Sequence, residues 1–325
     1  MKKLSVIILS LFLVLSLYGC NKNTEKTPDT TKETNTQTET NNENKEESRK
    51  KVTVTTPFIA DMIKNLADGM VDVDTIMAIG DDPHLYVAKP NDLKKVQDAD
   101  LVLYHGLHFE GKMIEALEST GVAITKNFKQ SDIGIMDEDG EEVVDPHFWF
   151  DVDLYKEAVK TVADELVNLI PDKKSEIEKN RDDYLNKLTE ADEYVKEKIS
   201  EIPEENRFLV TPHDAFNYFS RRYNIPVISP QGVSTDGEVS VKDLEETVNM
   251  IVEKKIKAIF AESTTDPRRM TSISDAAKNK GVDCKVVTDE SEQLLSDSIA
   301  PIGEYGDNFI DMLKRNADII NKYLK

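Results

Sequence analysis

A single helix of about 30 residues is predicted in the middle of this chain, from residue 172 to residue 202. Apolar side chains recur there at spacings of three, four and seven residues, charged side chains fill most other positions, and neither glycine nor proline interrupts the pattern. The apolar positions are Ile177, Tyr184, Leu185, Leu188, Ala191, Val195, Ile199 and Ile202. Such a helix would be roughly 45 Å long. Because this is too long for an ordinary crossover between strands, the segments before and after it are expected to form separate lobes.

Short β-branched runs alternate with helical segments on both sides of this helix. The runs before it include VTVTT, VDVDTIMAI, ADLVLY and VAITKN, and those after it are RFLVT, IPVIS, KAIFAE and VDCKVVT. Strands that alternate with helices of about 10 to 15 residues indicate βα units with mostly parallel sheets. Asp153 is the expected N-cap of the helix that Pro171 ends. The predicted fold is α/β, with an N-terminal βα lobe (51–171), a connecting backbone helix (172–202) and a C-terminal βα lobe (203–325).

The first 50 residues predict secretion and lipid attachment. Residues 1–19 carry two lysines and then an apolar run that is too short to be a convincing membrane span. The run ends in LYGC, which looks like a bacterial lipobox with Cys20 as the lipidated residue; an ordinary signal peptide that happens to contain a cysteine is the alternative. From residue 21 the segment 20–50 has no hydrophobic residue, which predicts a disordered tether. We therefore expect a lipid anchor on the extracytoplasmic face of a bacterial membrane.

Charge and cysteine content exclude several classes of protein. The formal net charge is −21, and loss of Lys2 and Lys3 with the leader would make it −23. This acidity argues against a nucleic-acid partner and against flat adsorption to anionic lipid. Beyond Cys20, only Cys284 remains. A disulfide framework or a thiolate metal site within one chain is therefore excluded.

Three of the five histidines lie in similar short motifs, and these motifs predict a metal site. His84 lies in GDDPHLY, His147 in DPHFWFD and His213 in TPHDAF, at intervals of 63 and 66 residues, and Asp297 follows in LLSDSIA. Imidazole nitrogens and a carboxylate are ligands that divalent transition metals favour. Each histidine follows an extended or loop segment and precedes a helix, where ligands of open parallel sheets bind. We expect these four side chains to meet in a cleft between the two lobes.

These residues also allow simpler interpretations. Any one histidine near a helix start is more often a capping or hydrogen-bonded residue than a ligand, and His105 and His108 keep that simpler interpretation. Glu262, at the end of KAIFAE, is a candidate to hydrogen-bond a ligand imidazole, and a capping or surface carboxylate is the alternative. A secreted zinc-dependent hydrolase would use the histidines with Asp297 or Glu262 as general base. The chain has no HExxH helix, which weakens that alternative.

At these motifs the chain resembles the metal-binding lipoproteins, or solute-binding proteins, of zinc and manganese ABC importers. The resemblance covers GDDPHLY, DPHFWFD, TPHDAFNYF, GVSTDGEVSVKDL, IFAESTTDPRRM and SDSIA in the same order. It implies two βα lobes joined by one rigid helix, with the metal between them. Carried over by motif, the metal ligands are His84, His147, His213 and Asp297.

The resemblance also implies a function and partners. We expect a non-enzymatic, monomeric protein that binds Zn²⁺ or Mn²⁺ and delivers it to the importer permease and its ATPase. Some lipoproteins of this kind have been called adhesins, but the only non-globular segment here is the polar tether. Three imidazoles and one carboxylate favour zinc on ligand type, whereas a bidentate Asp297 would suit manganese. The His-rich acidic loop of many zinc members does not follow His84, so the choice among zinc, manganese and iron stays open at this point.

Overall fold

Strands and helices alternate along most of residues 49–138 and 140–325, which the computed structural model describes. The strands are β1 (Lys51–Val54), β2 (Asp72–Thr75), β3 (Leu101–Tyr104), β4 (Val122–Ala123), β5 (Ile135–Glu138), β6 (Glu141–Val144), β7 (Leu209–Val210), β8 (Val227–Ile228), β9 (Ala258–Phe260) and β10 (Lys285–Val287). The α-helices are α1 (Pro57–Ala67), α2 (Pro90–Asp98), α3 (Ile114–Thr120), α4 (Val152–Leu169), α5 (Lys174–Ser200), α6 (Asn217–Tyr223), α7 (Val241–Lys254), α8 (Arg268–Asn279) and α9 (Phe309–Leu324). This order confirms the predicted α/β class.

Parallel sheets occur on both sides of the long helix. In the first half of the described chain, residues 49–171, the strand order is β2-β1-β3-β4 and all neighbours are parallel. The order reverses between β1 and β3, which places a crevice at the carboxyl ends of these two strands. In the second half, residues 203–325, β7 pairs with β8 and β9 pairs with β10, again in parallel. These strands are the predicted ones, although they have only two or three residues each.

Helix α5 confirms the predicted backbone helix. A short 3-10 turn, Pro171–Lys173, precedes it, and its buried face consists of residues on the predicted apolar stripe: Ile177, Tyr184, Leu188, Ala191, Val195 and Ile199. The helix packs against α1 and α4 from the first half and against α9 from the second. Asn180 donates to the Leu66 carbonyl at 3.0 Å, and Tyr194 donates to Asp318 at 2.7 Å. Helix α5 therefore packs against both halves of the chain.

The hydrophobic core is continuous through the two halves. Residues 48–325 form one compact unit. The largest buried cluster includes Phe58 and Trp149 from the first half and Phe216, Phe260 and Phe309 from the second. The two halves therefore share one core, to which α5 contributes. The site described below lies where the loops of the two halves meet.

Two local features differ from the sequence prediction. Strands β5 and β6 form an antiparallel hairpin that the prediction missed, and this hairpin leads directly into Asp145 and His147. The N-cap of α4 is Asp151, not Asp153, because the Asp151 side chain accepts the backbone N–H of Asp153. The predicted leader, Cys20 and nearly all of the 20–50 tether lie outside the described residues. Within residues 49–138 and 140–325, every helix is too short or too polar to cross a bilayer.

Candidate metal centre

Three histidines and one aspartate from four separate loops meet in one buried cluster. His84 follows β2, His147 follows β6, His213 follows β7, and Asp297 lies between β10 and α9. One donor atom from each side chain lies within 4.8 Å of the donor atoms of the other three. None of the four residues is more than 4% exposed. The structure therefore brings together the four side chains that the sequence motifs singled out.

The Asp-Pro-His motifs have a local structural basis. The Asp82 carboxylate accepts the backbone N–H of His84 at 3.0 Å, and the Asp145 carboxylate accepts that of His147 at 3.0 Å. In the Thr-Pro-His motif, the Thr211 hydroxyl instead donates to the His213 carbonyl at 3.0 Å. Short polar side chains two residues away commonly fix a turn in this manner. Each motif therefore holds the backbone of a histidine at the edge of the cleft.

Asp297 lies between two of the imidazoles. Its Oδ1 is 3.5 Å from His147 Nε2, and its Oδ2 is 3.2 Å from His213 Nε2. Burial raises the pKa of Asp297, but the two neighbouring imidazoles outweigh burial and hold the pKa well below its usual range. Asp297 is therefore an ionised carboxylate whose two oxygens both face the histidines.

Asp145 orients the ring of His147, and sequence reasoning did not identify it. Its Oδ1 accepts a hydrogen bond from His147 Nδ1 at 2.8 Å, which leaves His147 Nε2 to face the cluster. Burial lowers the pKa of His147, but the contacts with Asp145 and Asp297 outweigh burial and raise the pKa to about 9. Asn217 and Tyr218 from α6 donate to the Asp145 carboxylate and carbonyl at 3.3 and 3.1 Å. Asp145 therefore links the two halves as well as orienting a ring.

Glu262 contacts the ring of His213 in a similar arrangement. Its Oε2 lies against His213 Nδ1 and also accepts from the Ser296 hydroxyl at 3.1 Å. Glu262 is fully buried, and this burial raises the pKa of Glu262 despite the opposing effect of His213. Burial lowers the pKa of His213, but Glu262 and Asp297 outweigh burial and raise that pKa well above its usual value. The side chain is thus placed where a carboxylate would fix the tautomer of an imidazole.

His84 has the weakest polar support of the three histidines. Burial lowers the pKa of His84 to about 3, so the ring is neutral. Its ring centroid lies 5.4 Å from that of His147 and 5.9 Å from that of His213. Within the described residues, His84 Nε2 and His147 Nε2 are buried without a hydrogen-bond partner. The neutral ring of His84 offers a nitrogen lone pair directly to a divalent transition metal, whereas the protonated ring of His147 must first lose a proton.

The remaining two histidines lie outside the cluster. His105 is buried, its Nε2 lies 2.8 Å from the Thr56 hydroxyl, and burial lowers its pKa to about 3. His108 is exposed. Trp149 contacts the rings of both His105 and His147 and donates from Nε1 to the Ser296 carbonyl at 2.9 Å. Because Ser296 precedes Asp297, this bond helps to fix the fourth member of the cluster.

Two α/β halves on one backbone helix, with a buried cluster of three imidazoles and one carboxylate between their loops, define a metal-binding protein of the substrate-binding class. A family model described as zinc-uptake complex component A, periplasmic, matches residues 52–323. The chain therefore belongs to this family, whose members named below bind manganese or zinc.

Individual relatives agree with this assignment. Manganese-binding lipoprotein MntA of Bacillus subtilis is 35% identical over 280 residues, which cover 85% of this chain and 90% of MntA. Zinc-binding protein TroA of Treponema pallidum is 37% identical over 274 residues, which cover 83% of this chain and 87% of TroA. A structure solved to study the metal-binding specificity of TroA matches with a TM-score of 0.84 and 55% identity, over 86% of this chain and all of that one. Several further relatives are substrate-binding lipoproteins of metal or manganese ABC transporters.

Proposed function

We propose that this chain binds a divalent transition metal outside the membrane and delivers it to the permease of an ABC importer. The proposed ligands are His84, His147, His213 and Asp297. The observation that carries the proposal is the buried convergence of their donor atoms within 4.8 Å of one another. Four donors of these types at this separation can surround one ion. Since the metal is cargo, the importer's ATPase supplies the energy for its transport.

Zinc is the proposed metal, and manganese is the principal competitor. Three imidazoles with one carboxylate provide a complete tetrahedral set for Zn²⁺, and Mn²⁺ is the weakest binder in the Irving-Williams order. Both oxygens of Asp297 face the histidines, however, and a bidentate carboxylate would supply the additional ligand that manganese accepts. Relatives named for each metal, TroA and MntA, match the chain about equally well. The choice therefore depends on whether Asp297 binds through one oxygen or two.

The proposed site binds its metal without catalysing a reaction. A catalytic zinc keeps one coordination position for water or substrate, whereas four protein donors fill a tetrahedral shell. Glu262, the other carboxylate considered as a general base, contacts His213 Nδ1 and the Ser296 hydroxyl. In that position it serves the proposed role of orienting His213.

The proposed attachment and domain organisation follow the sequence prediction. Residues 1–19 are the signal peptide, and Cys20 carries the lipid that anchors the protein on the extracytoplasmic face. The tether 20–50 then leads to the N-terminal lobe 51–171, the connecting helix 172–202 and the C-terminal lobe 203–325. The names of several relatives as lipoproteins of metal ABC transporters support this location. We propose that the protein acts as a monomer, because the four donor residues all come from one chain.

Elemental analysis of the soluble unit from Lys51 onward tests this function. Residues 48–325 form one compact unit, so this fragment retains the whole core. Purified without chelator, it is expected to contain one metal ion per chain, and competition between zinc and manganese then identifies the preferred metal. His147→Ala is expected to lose the ion, whereas His108→Ala, an exposed histidine outside the cluster, keeps it. Metal content that is the same in both variants would contradict the proposed ligand set.

Metal affinity is expected to rise steeply with pH. The pKa of His147 is raised to about 9 and that of His213 is also raised. Both rings are therefore protonated on both nitrogens at pH 7 in the metal-free protein. Each must lose its Nε2 proton before it can bind a metal, while Nδ1 keeps its proton for Asp145 or Glu262. Binding at pH 7 should therefore release about two protons, and log affinity should rise by about two per pH unit. Zinc titrations between pH 6 and 8 with a pH indicator check this; no proton release together with a flat affinity profile would exclude histidine ligation.

A further inference from the structure

Residues 231–237 contact the loops that carry the cluster residues, and we call this segment the strap. It follows β8 and begins beside His213, because Gln231 forms a parallel β-bridge with that histidine. The carbonyl of Gly232 accepts the backbone N–H of Asp214 at 3.1 Å. The start of the strap is therefore fixed to the loop that carries the second-half histidine.

The other end of the strap contacts the loop that carries His84. The Thr235 hydroxyl donates to Asp82 Oδ2 at 2.6 Å, and Asp82 Oδ1 accepts the backbone N–H of His84. One carboxylate therefore connects the strap to the backbone of a proposed ligand. Because a hydrogen bond to an ionised acceptor is stronger than one between neutral groups, this contact is a substantial link between the halves.

The middle of the strap contacts the β5–β6 hairpin, which leads into His147. The backbone N–H of Val233 donates to Glu138 Oε1 at 2.7 Å. Glycine at position 232 makes this approach possible, since a Cβ there would lie 2.2 Å from the same oxygen. Through its three contact points, the strap touches the segments that hold His84, His147 and His213.

Hydrogen bonds within the strap hold its two ends together. Gln231 Nε2 donates to the carbonyls of Thr235 and Gly237 at 2.9 and 2.6 Å, and Arg269 donates to Gln231 Oε1. These bonds join the strap to itself and to α8 of the second half. Its polar connections to the first half are the bonds to Asp82 and Glu138 and an exposed ion pair between Asp236 and Lys112 at 3.8 Å, which contributes little because solvent screens it.

We propose that the strap closes the cleft over the bound metal, and that Thr235 and Glu138 are positioning residues that set the rate of metal release. This inference rests on the proposed function, because it assigns a kinetic role at the same site. The four proposed ligands are at most 4% exposed, so an ion cannot leave until one wall of the site moves. Separating the strap from Asp82 and Glu138 opens that wall without removing any ligand. A permease that competes for these contacts would trigger release.

Stopped-flow release of Zn²⁺ from the full chain into an excess of coloured chelator tests the proposal. Thr235→Val and Glu138→Ala are each expected to accelerate release about tenfold, as loss of one charge-assisted hydrogen bond would allow. Thr235→Ser keeps the hydroxyl donor and is expected to restore slow release, whereas Glu138→Gln keeps an acceptor without its charge and is expected to release zinc at a rate between those of Glu138→Ala and the wild type. Glu142→Ala removes an exposed carboxylate from the same hairpin and is expected to release zinc at the wild-type rate.

A double-variant cycle separates the strap contact from general damage to the fold. The methyl group of Gly232→Ala would displace the Glu138 carboxylate, so this variant should release zinc as fast as Glu138→Ala. Added to Glu138→Ala, the same substitution should have almost no further effect, because the clashing carboxylate is gone. The proposed role of the strap would be overturned if both Thr235→Val and Glu138→Ala released zinc within twofold of the wild-type rate. The proposed ligand set would still stand if substitution of a ligand abolished zinc binding. Failure of the wild-type chain to bind zinc or manganese would instead overturn the proposed function.

Discussion

Asp297→Ala is expected to lower metal affinity by two to three orders of magnitude. Structural zinc sites contribute roughly 10–16 kcal/mol from four ligands, or about 2.5–4 kcal/mol for each, and every 1.4 kcal/mol is tenfold in affinity. Asp297 is also the anionic member of the cluster, and its oxygens lie 3.5 and 3.2 Å from two imidazole nitrogens. Its removal leaves three imidazoles without that charge. Competition titration with a chelator of known affinity, at pH 7 for both zinc and manganese, measures the loss.

Asp61→Ala is the matched control for Asp297→Ala. Asp61 is also a buried aspartate, but it accepts hydrogen bonds from Tyr184 and from the backbone of Phe309, at the start of α9. Its loss should lower thermal stability while metal affinity stays close to that of the wild type. Asp297→Ala also separates a metal-binding role of Asp297 from a catalytic one. An enzyme that used Asp297 as a general base would keep its metal in Asp297→Ala and lose turnover. Retention of full affinity in Asp297→Ala would contradict the four-ligand site.

The position of the site could be predicted because two of its three histidine motifs share one local cause, and the third has a similar turn. Asp82 and Asp145 each accept the backbone N–H of the histidine two residues later, so the repeated Asp-Pro-His pattern reflects a turn that holds a histidine at the end of an extended segment. The carboxyl ends of parallel strands gather such turns at one edge. The long helix could also be predicted from the sequence, because its apolar stripe continues without glycine or proline over the 27 residues of α5.

The parts that sequence reasoning missed depend on contacts between distant residues. Asp145 differs from Asp82 because its carboxylate also reaches the imidazole of the histidine that follows, and nothing in the motif itself distinguishes the two. The β5–β6 hairpin did have a local signal, the Asp139-Gly140 pair between IMDE and EEVV, which is a common hairpin sequence. The closeness of Glu138 to Gly232 has no such signal, because 94 residues separate them and only the assembled cleft brings them together.

The pKa values of two of the three cluster histidines differ from that of the third because each of the two has a carboxylate behind its ring. His147 is supported by Asp145 and His213 by Glu262, so the pKa values of both rings are raised, whereas burial lowers that of His84. A carboxylate behind an imidazole stabilises the protonated ring and also makes the neutral ring a better metal ligand. Proton competition and metal affinity are therefore set by the same two residues. This coupling can be tested by changing one carboxylate at a time.

Asp145→Asn is expected to weaken zinc binding by about 10- to 100-fold at pH 8, the usual effect of losing a carboxylate that orients a ligand histidine. The same change should lower the pKa of His147, because the hydrogen bond to Asp145 is what raises it most. With less proton competition, the loss of affinity should be smaller at pH 6 than at pH 8. Proton release on zinc binding at pH 7 should fall from about two to about one.

Glu262→Gln should have the same effect through His213, and the double variant should release almost no protons. The control is Asn217→Ala, which removes a hydrogen bond to Asp145 Oδ2 but leaves the Asp145–His147 contact in place, so its proton release should stay close to two. Calorimetric titration in buffers of different ionisation enthalpy measures these proton counts directly. A loss of affinity in Asp145→Asn that is equal at pH 6 and pH 8, with two protons still released, would show that Asp145 only supports the fold. The smaller loss at low pH is the specific signature of a carboxylate that acts through the imidazole of His147.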